Sequence, residues 1–125
     1  MGVLFTVRGA TDGSSTTGTF SLSGDLLQTA VSYIRIPKGM KLKVWCKRIS
    51  GEPVEVIMEY THDVTAASPT WVEVGREVLA SAGELALEKR RPIVLRGFTG
   101  KEAFRAKWSQ ATAALSYAEF EVELE

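Results

Sequence analysis

Cysteine and histidine are almost missing from this sequence: Cys46 and His62 are the only ones in 125 residues. One thiol excludes an intrachain disulfide framework and a cysteine zinc cluster. One imidazole leaves little room for catalysis that needs a base, a nucleophile and an orienting group together. No apolar run approaches the ~20 residues that a membrane-spanning helix requires, and the first residues show no basic region followed by an apolar stretch and a cleavage site. The expectation is a soluble chain with neither signal peptide nor transmembrane segment. An excess of charge of either sign is missing as well, since 15 Lys and Arg balance 15 Asp and Glu. The total therefore offers nothing to attract nucleic acid or an anionic membrane. Against these absences stands a 45% hydrophobic and 24% charged composition with 11 glycines and 4 prolines. That composition is globular, and a chain of 125 residues makes one domain, 1–125, with a real core.

Period two dominates the chain. It places alternate side chains on opposite faces of a strand and marks an all-β domain. Residues 3–8 are β-branched and apolar, and they lead into 9–18, a Gly-, Ser- and Thr-rich stretch read as a flexible loop able to reach a neighbour. A short strand is expected over 18–23, carrying Phe20 and Leu22, and a clearer one over 30–36, ended by the turn Pro37-Lys38-Gly39. Over 40–47, Met40, Leu42, Val44 and Cys46 alternate with Lys41, Lys43, Trp45 and Lys47. After Ser50-Gly51-Glu52-Pro53, Val56, Met58 and Tyr60 alternate with Glu55, Ile57 and Glu59. If these two strands form a hairpin with Lys47 facing Glu55, then Trp45 faces Ile57 and Lys43 faces Glu59, with Cys46 opposite Val56 on the core side.

Segment 61–70 reads as a loop, and Trp71-Val72-Glu73-Val74 opens another strand. Over 76–89 two readings stand. Val78, Leu79, Ala82, Leu85 and Ala86 fit a helix, whereas Gly83 and the alternation through Glu84-Leu85-Ala86-Leu87-Glu88 favour two short strands. Strands follow at 93–96 and 104–108, with a turn at 97–100 between them. The chain closes on Phe120, Val122 and Leu124 alternating with Glu119, Glu121, Glu123 and Glu125, a strand rather than an acidic tail. Roughly eight to ten short strands separated by turn signals predict an antiparallel β-sandwich, jelly-roll-like.

The passage Tyr60-Thr61-His62-Asp63 leading to Thr70-Trp71-Val72-Glu73-Val74 resembles the strand, turn and Trp-x-x-Val strand of discoidin-like and galactose-binding-like jelly rolls. The strand Ala103-Phe104-Arg105-Ala106-Lys107-Trp108, followed by a turn and Ala118-Glu119-Phe120-Glu121-Val122, is similar to the closing strands of the same family. The likeness covers the C-terminal half, and the chain is shorter than such domains and lacks their cystines. The resemblance implies a jelly-roll sandwich, and with it either a sugar-binding surface or the role of small jelly-roll virion proteins.

Cys46 and His62 act as nucleophile and base only within hydrogen-bond reach. The strand pattern instead turns Cys46 into the core, where a thiol packs as a small apolar residue. Serines are plentiful, but no Gly-x-Ser-x-Gly elbow is present. The glutamates occupy outward strand positions, as solvated or cross-strand paired groups do, rather than forming the two carboxylates of a glycosidase. No zinc spacing is visible, a loop-carbonyl calcium site around Asp12 or Asp63 stays open, and 9–18 lacks the Gly-Lys-Ser/Thr ending of a phosphate loop. The expectation is no catalytic residue, no metal and no cofactor.

Charge is unevenly placed along the chain. Residues 89–108 carry Lys89, Arg90, Arg91, Arg96, Lys101, Arg105 and Lys107 against Glu102, while 63–88 and 109–125 are each four charges negative. A nucleic-acid backbone suits such a basic segment, but pairing of Arg105 and Lys107 with Glu119 and Glu121 across a hairpin accounts for it more simply. A third account is intermolecular, the basic strip with Arg90 and Arg91 on one copy meeting the acidic strand of the next. Trp45, on one face with Lys41, Lys43 and Lys47, marks a protein interface or a sugar-stacking platform unless another element covers it.

Two functions of different classes follow. The first is a non-enzymatic structural or assembly protein, most concretely a small virion component such as a capsid decoration or minor coat protein. It would sit in the virion or the cytoplasm, partnered by copies of itself, by a capsid or by another protein lattice. The second is a carbohydrate-binding module in which Trp45 or Trp71 stacks on sugar rings while His62 and Asp63 supply hydrogen bonds. Fold alone does not choose between them.

Overall fold

In the computed structural model, which describes residues 2–24, 27–78 and 92–125, the fold is all-β as expected, with more strands than the eight to ten expected, and no described residue is helical. Eleven strands are present among these residues: β1 (Val3–Ala10), β2 (Thr17–Thr19), β3 (Leu22–Gly24), β4 (Leu27–Val31), β5 (Ile34–Arg35), β6 (Lys41–Gly51), β7 (Glu55–Thr61), β8 (Trp71–Val78), β9 (Ile93–Arg96), β10 (Ala103–Ser109) and β11 (Ser116–Leu124). They form two antiparallel sheets. The first runs β4-β3-β1-β11-β6-β9 and the second β2-β10-β7-β8, with β5 also on β10. Among the described strands the chain crosses between sheets after β1, β2, β4, β5, β6, β8, β9 and β10, the winding of a jelly roll.

Alternation builds the core directly. Phe5 and Val7 of β1, Leu42, Val44 and Cys46 of β6, and Phe120 and Val122 of β11 point inward from the first sheet, against Val56, Met58, Phe104, Ala106 and Trp108 of the second. Phe120 stands edge-on to Phe20 and Phe104 at ring separations of 6.2 and 6.4 Å. Each such fully buried side chain is worth roughly 1.5–3 kcal/mol in apolar area removed from water. One glycine is required by this packing: a Cβ on Gly18 of β2 would lie 2.3 Å from the indole of its cross-strand partner Trp108.

Several expected units divide differently. The strand expected over 18–23 is β2 and β3, which belong to opposite sheets, so that Phe20 lies at the crossover with both it and Leu22 buried. The strand expected over 30–36 is likewise β4 and β5 in different sheets. Both segments are apolar enough for one strand, but the sandwich must be closed at this end, and two short pieces do it. The turn after β5 forms as its composition requires, closed by a hydrogen bond from the Met40 amide to the Pro37 carbonyl with Gly39 at φ 82°. At the other end, Gly9 and Ala10 complete β1 and Thr17 opens β2, leaving a connection of six residues, Thr11 to Thr16. Thr11 is buried, donates to the Ala114 carbonyl at 2.6 Å and accepts from the Ser116 amide at 2.9 Å. That segment is fastened to its own sandwich. Of the ambiguous 76–89, Arg76–Val78 finish β8, and 79–89 lie outside the described residues.

The expected hairpin of β6 with β7 does not form. β6 pairs with β11 and β9, and β7 pairs with β10 and β8. Cys46 is buried as expected, but opposite Phe120 rather than Val56. Lys43 faces Glu123 and Trp45 faces Glu121, while Glu59 faces Arg105. Strand parity was satisfied equally well by either acidic strand, and the jelly-roll crossover between the sheets decided the choice. For the same reason Arg105 and Lys107 find β7 rather than β11 as neighbour.

Glu102, the lone acid of the basic segment, is buried at 2% exposure. Its carboxylate accepts hydrogen bonds from the amides of Phe98, Thr99 and Gly100 at 3.0 to 3.2 Å and from the Thr99 hydroxyl at 3.2 Å, closing the β9–β10 turn. Burial pushes its pKa up, and the hydrogen bonds outweigh that and hold it below the ordinary carboxylate value of 4.5. A depressed carboxylate pKa contributes stability that is complete at neutral pH and is lost as pH falls through the folded-state value. Glu102→Gln should therefore cost about 2 kcal/mol in urea unfolding at pH 7. The difference from the parent should shrink at pH 3; an equal difference at both pH values would show that the charge is not what closes the turn.

Candidate functional site

On the outer face of the first sheet the cationic side of β6 meets the acidic side of β11. Lys43 Nζ lies 3.0 Å from Glu125 and 3.7 Å from Glu123, Lys41 lies 3.3 Å from Glu125, and Lys47 lies 3.5 Å from both Glu119 and Glu121. From the opposite flank, Arg8 Nε of β1 donates to Glu119 at 3.0 Å. Lys43, and then Lys41, hold the Glu125 carboxylate below its ordinary range, and Glu125 in turn raises Lys43. For Glu119, burial alone would raise the pKa, but Arg8 and Lys47 together lower it. Trp45 sits half-buried in this lattice opposite Glu121. Trp45, Lys41 and Lys43 are thus brought to one face as the alternation requires, and the partners of the acidic strand lie in the same chain. A basic strip on a second copy finds those carboxylates already engaged.

The outer face of the second sheet carries the other expected residues. Arg105 Nε donates to Glu59 at 2.8 Å, and its guanidinium lies over the Trp71 ring, 4.2 Å from the centroid. Trp71, Tyr33 and the loop residues Val64, Ala66 and Pro69 border a cleft of about 340 Å³. His62 and Asp63 belong to the same loop but do other work. His62 is exposed and stands edge-on to Tyr60, with ring centroids 5.0 Å apart. Asp63 accepts from the amide and hydroxyl of Thr65 at 2.9 and 2.5 Å, and the Thr65 hydroxyl is the main reason that its pKa is lowered. Asp12 likewise accepts from the amides of Ser14 and Ser15. Both aspartates shape turns by bonding the backbone two or three residues on. Among the described residues no three His, Cys, Asp or Glu side chains converge as metal ligands would. Arg90 and Arg91 lie outside the described residues.

One surface escaped the sequence reading. Beside the open end of the sandwich, Val3, Leu27, Val31, Tyr33, Met40 and Leu124 line an apolar groove of about 770 Å³. Val3 is 49% and Tyr33 39% exposed. Val3 and Phe5 share one face of β1 and both line the groove, whereas the apolar residue between them faces the other way. Leu4 points outward at 58% exposure.

The stacked Arg105 gives a measurable consequence. Arg105→Gln should cost about 1 kcal/mol through the loss of the Trp71 and Glu59 contacts together. It should also change the fluorescence of Trp71, read against a Trp71→Phe control; an unchanged spectrum and midpoint would show that the stack is absent in solution. Comparison of the chain with protein-family models, with curated proteins and with solved structures finds no match.

Proposed function

We propose that this chain is a non-enzymatic structural or assembly protein that works through protein–protein contacts, most concretely a small virion component such as a capsid decoration or minor coat protein. The observation that carries this reading is the apolar groove at the open end of the sandwich. Contiguous exposed apolar surface on a small protein marks a contact site more often than an accident of folding. The groove lies beside β4, the last strand of its sheet, which pairs only with β3 among the described residues. An edge strand with an apolar groove next to it offers both backbone hydrogen bonds and burial to an arriving segment. The charged residues support the same placement of the interface, because those of the β6–β11 face and the Arg105–Glu59 pair are matched within the chain.

The reading is tested by mass in solution. Light scattering should give oligomers of the 13.7 kDa chain that persist at high salt, since apolar contacts are strengthened rather than screened by it. Val3→Asp combined with Tyr33→Ser should yield a folded monomer. A parent that stays monomeric at every concentration, or a double variant that associates like the parent, would remove the groove as the contact surface.

A further inference from the structure

The balanced total of charge conceals a local excess. Pairing with Glu59 accounts for Arg105 but leaves Arg96 and Lys101 of the basic segment over. The fold adds Arg35 and Lys38 to them at one end of the sandwich, where two turns meet. The Gly39 amide donates to the Gly97 carbonyl at 2.7 Å and the Gly97 amide to the Met40 carbonyl at 2.9 Å, so 37–39 and 97–100 are joined. A Cβ on Gly97 would lie 2.3 Å from the Pro37 carbonyl oxygen, an approach that only glycine allows. Arg35 Nε donates to the Gly100 carbonyl at 2.5 Å. Lys38 lies against the same glycine, its Cβ 3.6 Å from where a Gly100 Cβ would stand.

Arg35, Lys38, Arg96 and Lys101 are all exposed. Among the described residues none of them has a carboxylate within ion-pair distance. The acids beside them are engaged. Glu102 spends its oxygens on the amides of its own turn and on Thr99, Asp63 accepts from Thr65, and Glu125 is held by Lys43 and Lys41. Between Arg96 and Lys101 stands Phe98, 66% exposed, the largest value among the described large apolar side chains. Its amide is fixed by the buried Glu102 at 3.0 Å. The ring is thus displayed on a backbone that is already ordered, which lowers the cost of any contact it makes.

We infer that this end of the sandwich binds single-stranded nucleic acid, the cations lying on phosphates and Phe98 stacking on a base. A single strand offers both chemistries together: a run of phosphates for the cations, and unpaired bases whose π-faces suit an aromatic ring. A duplex keeps its bases stacked and closed to a ring carried on a turn. Inorganic phosphate would leave Phe98 without a role, and an apolar segment of protein would leave the cations without one. The assembly reading rests on the groove instead, and the Val3→Asp, Tyr33→Ser variant separates the two, since it should still bind the strand.

The test is fluorescence anisotropy of a labelled oligothymidylate titrated with the protein across a salt series. Binding should be measurable at low salt and weaken as salt rises. Lys38→Gln combined with Lys101→Gln should flatten the slope of log K against log salt by about 1.4, at about 0.7 for each phosphate contact on a single strand. Phe98→Ala should weaken binding about tenfold and leave the slope unchanged. Lys107→Gln, toward the far end of β10, should match the parent in both, and every variant should melt within a few degrees of it. No binding at low salt overturns the assignment. So does an affinity indifferent to Phe98→Ala, which is attraction to any polyanion, or a slope indifferent to the double lysine variant. Equal affinity for the strand annealed to its complement, or binding to phosphatidylserine vesicles without binding to the oligonucleotide, overturns it as well.

Discussion

The position of β11 between β1 and β6 is the constraint on which the rest of the molecule depends. Val3 through Ala10 pair with Leu124 through Tyr117 on one side, and Leu42 through Gly51 pair with Leu124 through Ser116 on the other. The inner face of β11 supplies Phe120, which touches aromatic rings from the crossover and from the opposite sheet. Its outer face supplies Glu119, Glu121 and Glu123, with Glu125 just past its end, met by lysines on one flank and an arginine on the other. A strand with so strict an alternation is chemically suited to the centre of a sheet: one face is dry, and the other is neutralised by both neighbours.

Much of this was legible. The alternation of Leu42, Val44 and Cys46 with Lys41, Lys43 and Trp45 gave the correct faces, and the composition of Pro37-Lys38-Gly39 gave a turn that forms. The opposite-charge rule also gave the right kind of partner for Lys43 and for Arg105. What it did not give was which strand supplies that partner. Period two and charge complementarity are local properties, and both β7 and β11 present glutamates at the same spacing, so the rule is degenerate. The crossovers between sheets are set by closing the core on both sides, a condition on the whole chain. For the same reason β2 with β3, and β4 with β5, each read as one strand in the sequence, since the residues that change sheets, such as Phe20, are apolar like those on either side.

The candidate surfaces followed a similar division. Trp45 and Trp71 are conspicuous in the sequence as aromatics set among charges. Each proves to be embedded in ion pairs of its own sheet. The open surfaces are made by less conspicuous residues: Val3 with Leu27, Val31 and Tyr33 around the apolar groove, and small residues, Ala10, Ser23 and Ser50, that leave a trough on the outer face of the first sheet. Absence of bulk at three separate points along the chain carries no signal until register brings the points together. Glu102 belongs to the same class, because a single acid among basic residues reads as a minor charge correction until its backbone partners are seen.

Arg8 and Glu119 are 111 residues apart in sequence, and that separation has a kinetic meaning. During synthesis β1 and β6 emerge with the gap between them empty, and the apolar sides of Phe5, Val7, Leu42 and Val44 wait for the strand that fills it. The first sheet is complete only once β11 lies between β1 and β6. High sequence separation of this kind slows folding and prolongs exposure of unpaired strands to other chains. The lysines of β6 acquire a second significance in that interval. Charged side chains on an unpaired strand disfavour its pairing with other chains, and Lys41, Lys43 and Lys47 stand on such a strand until β11 arrives.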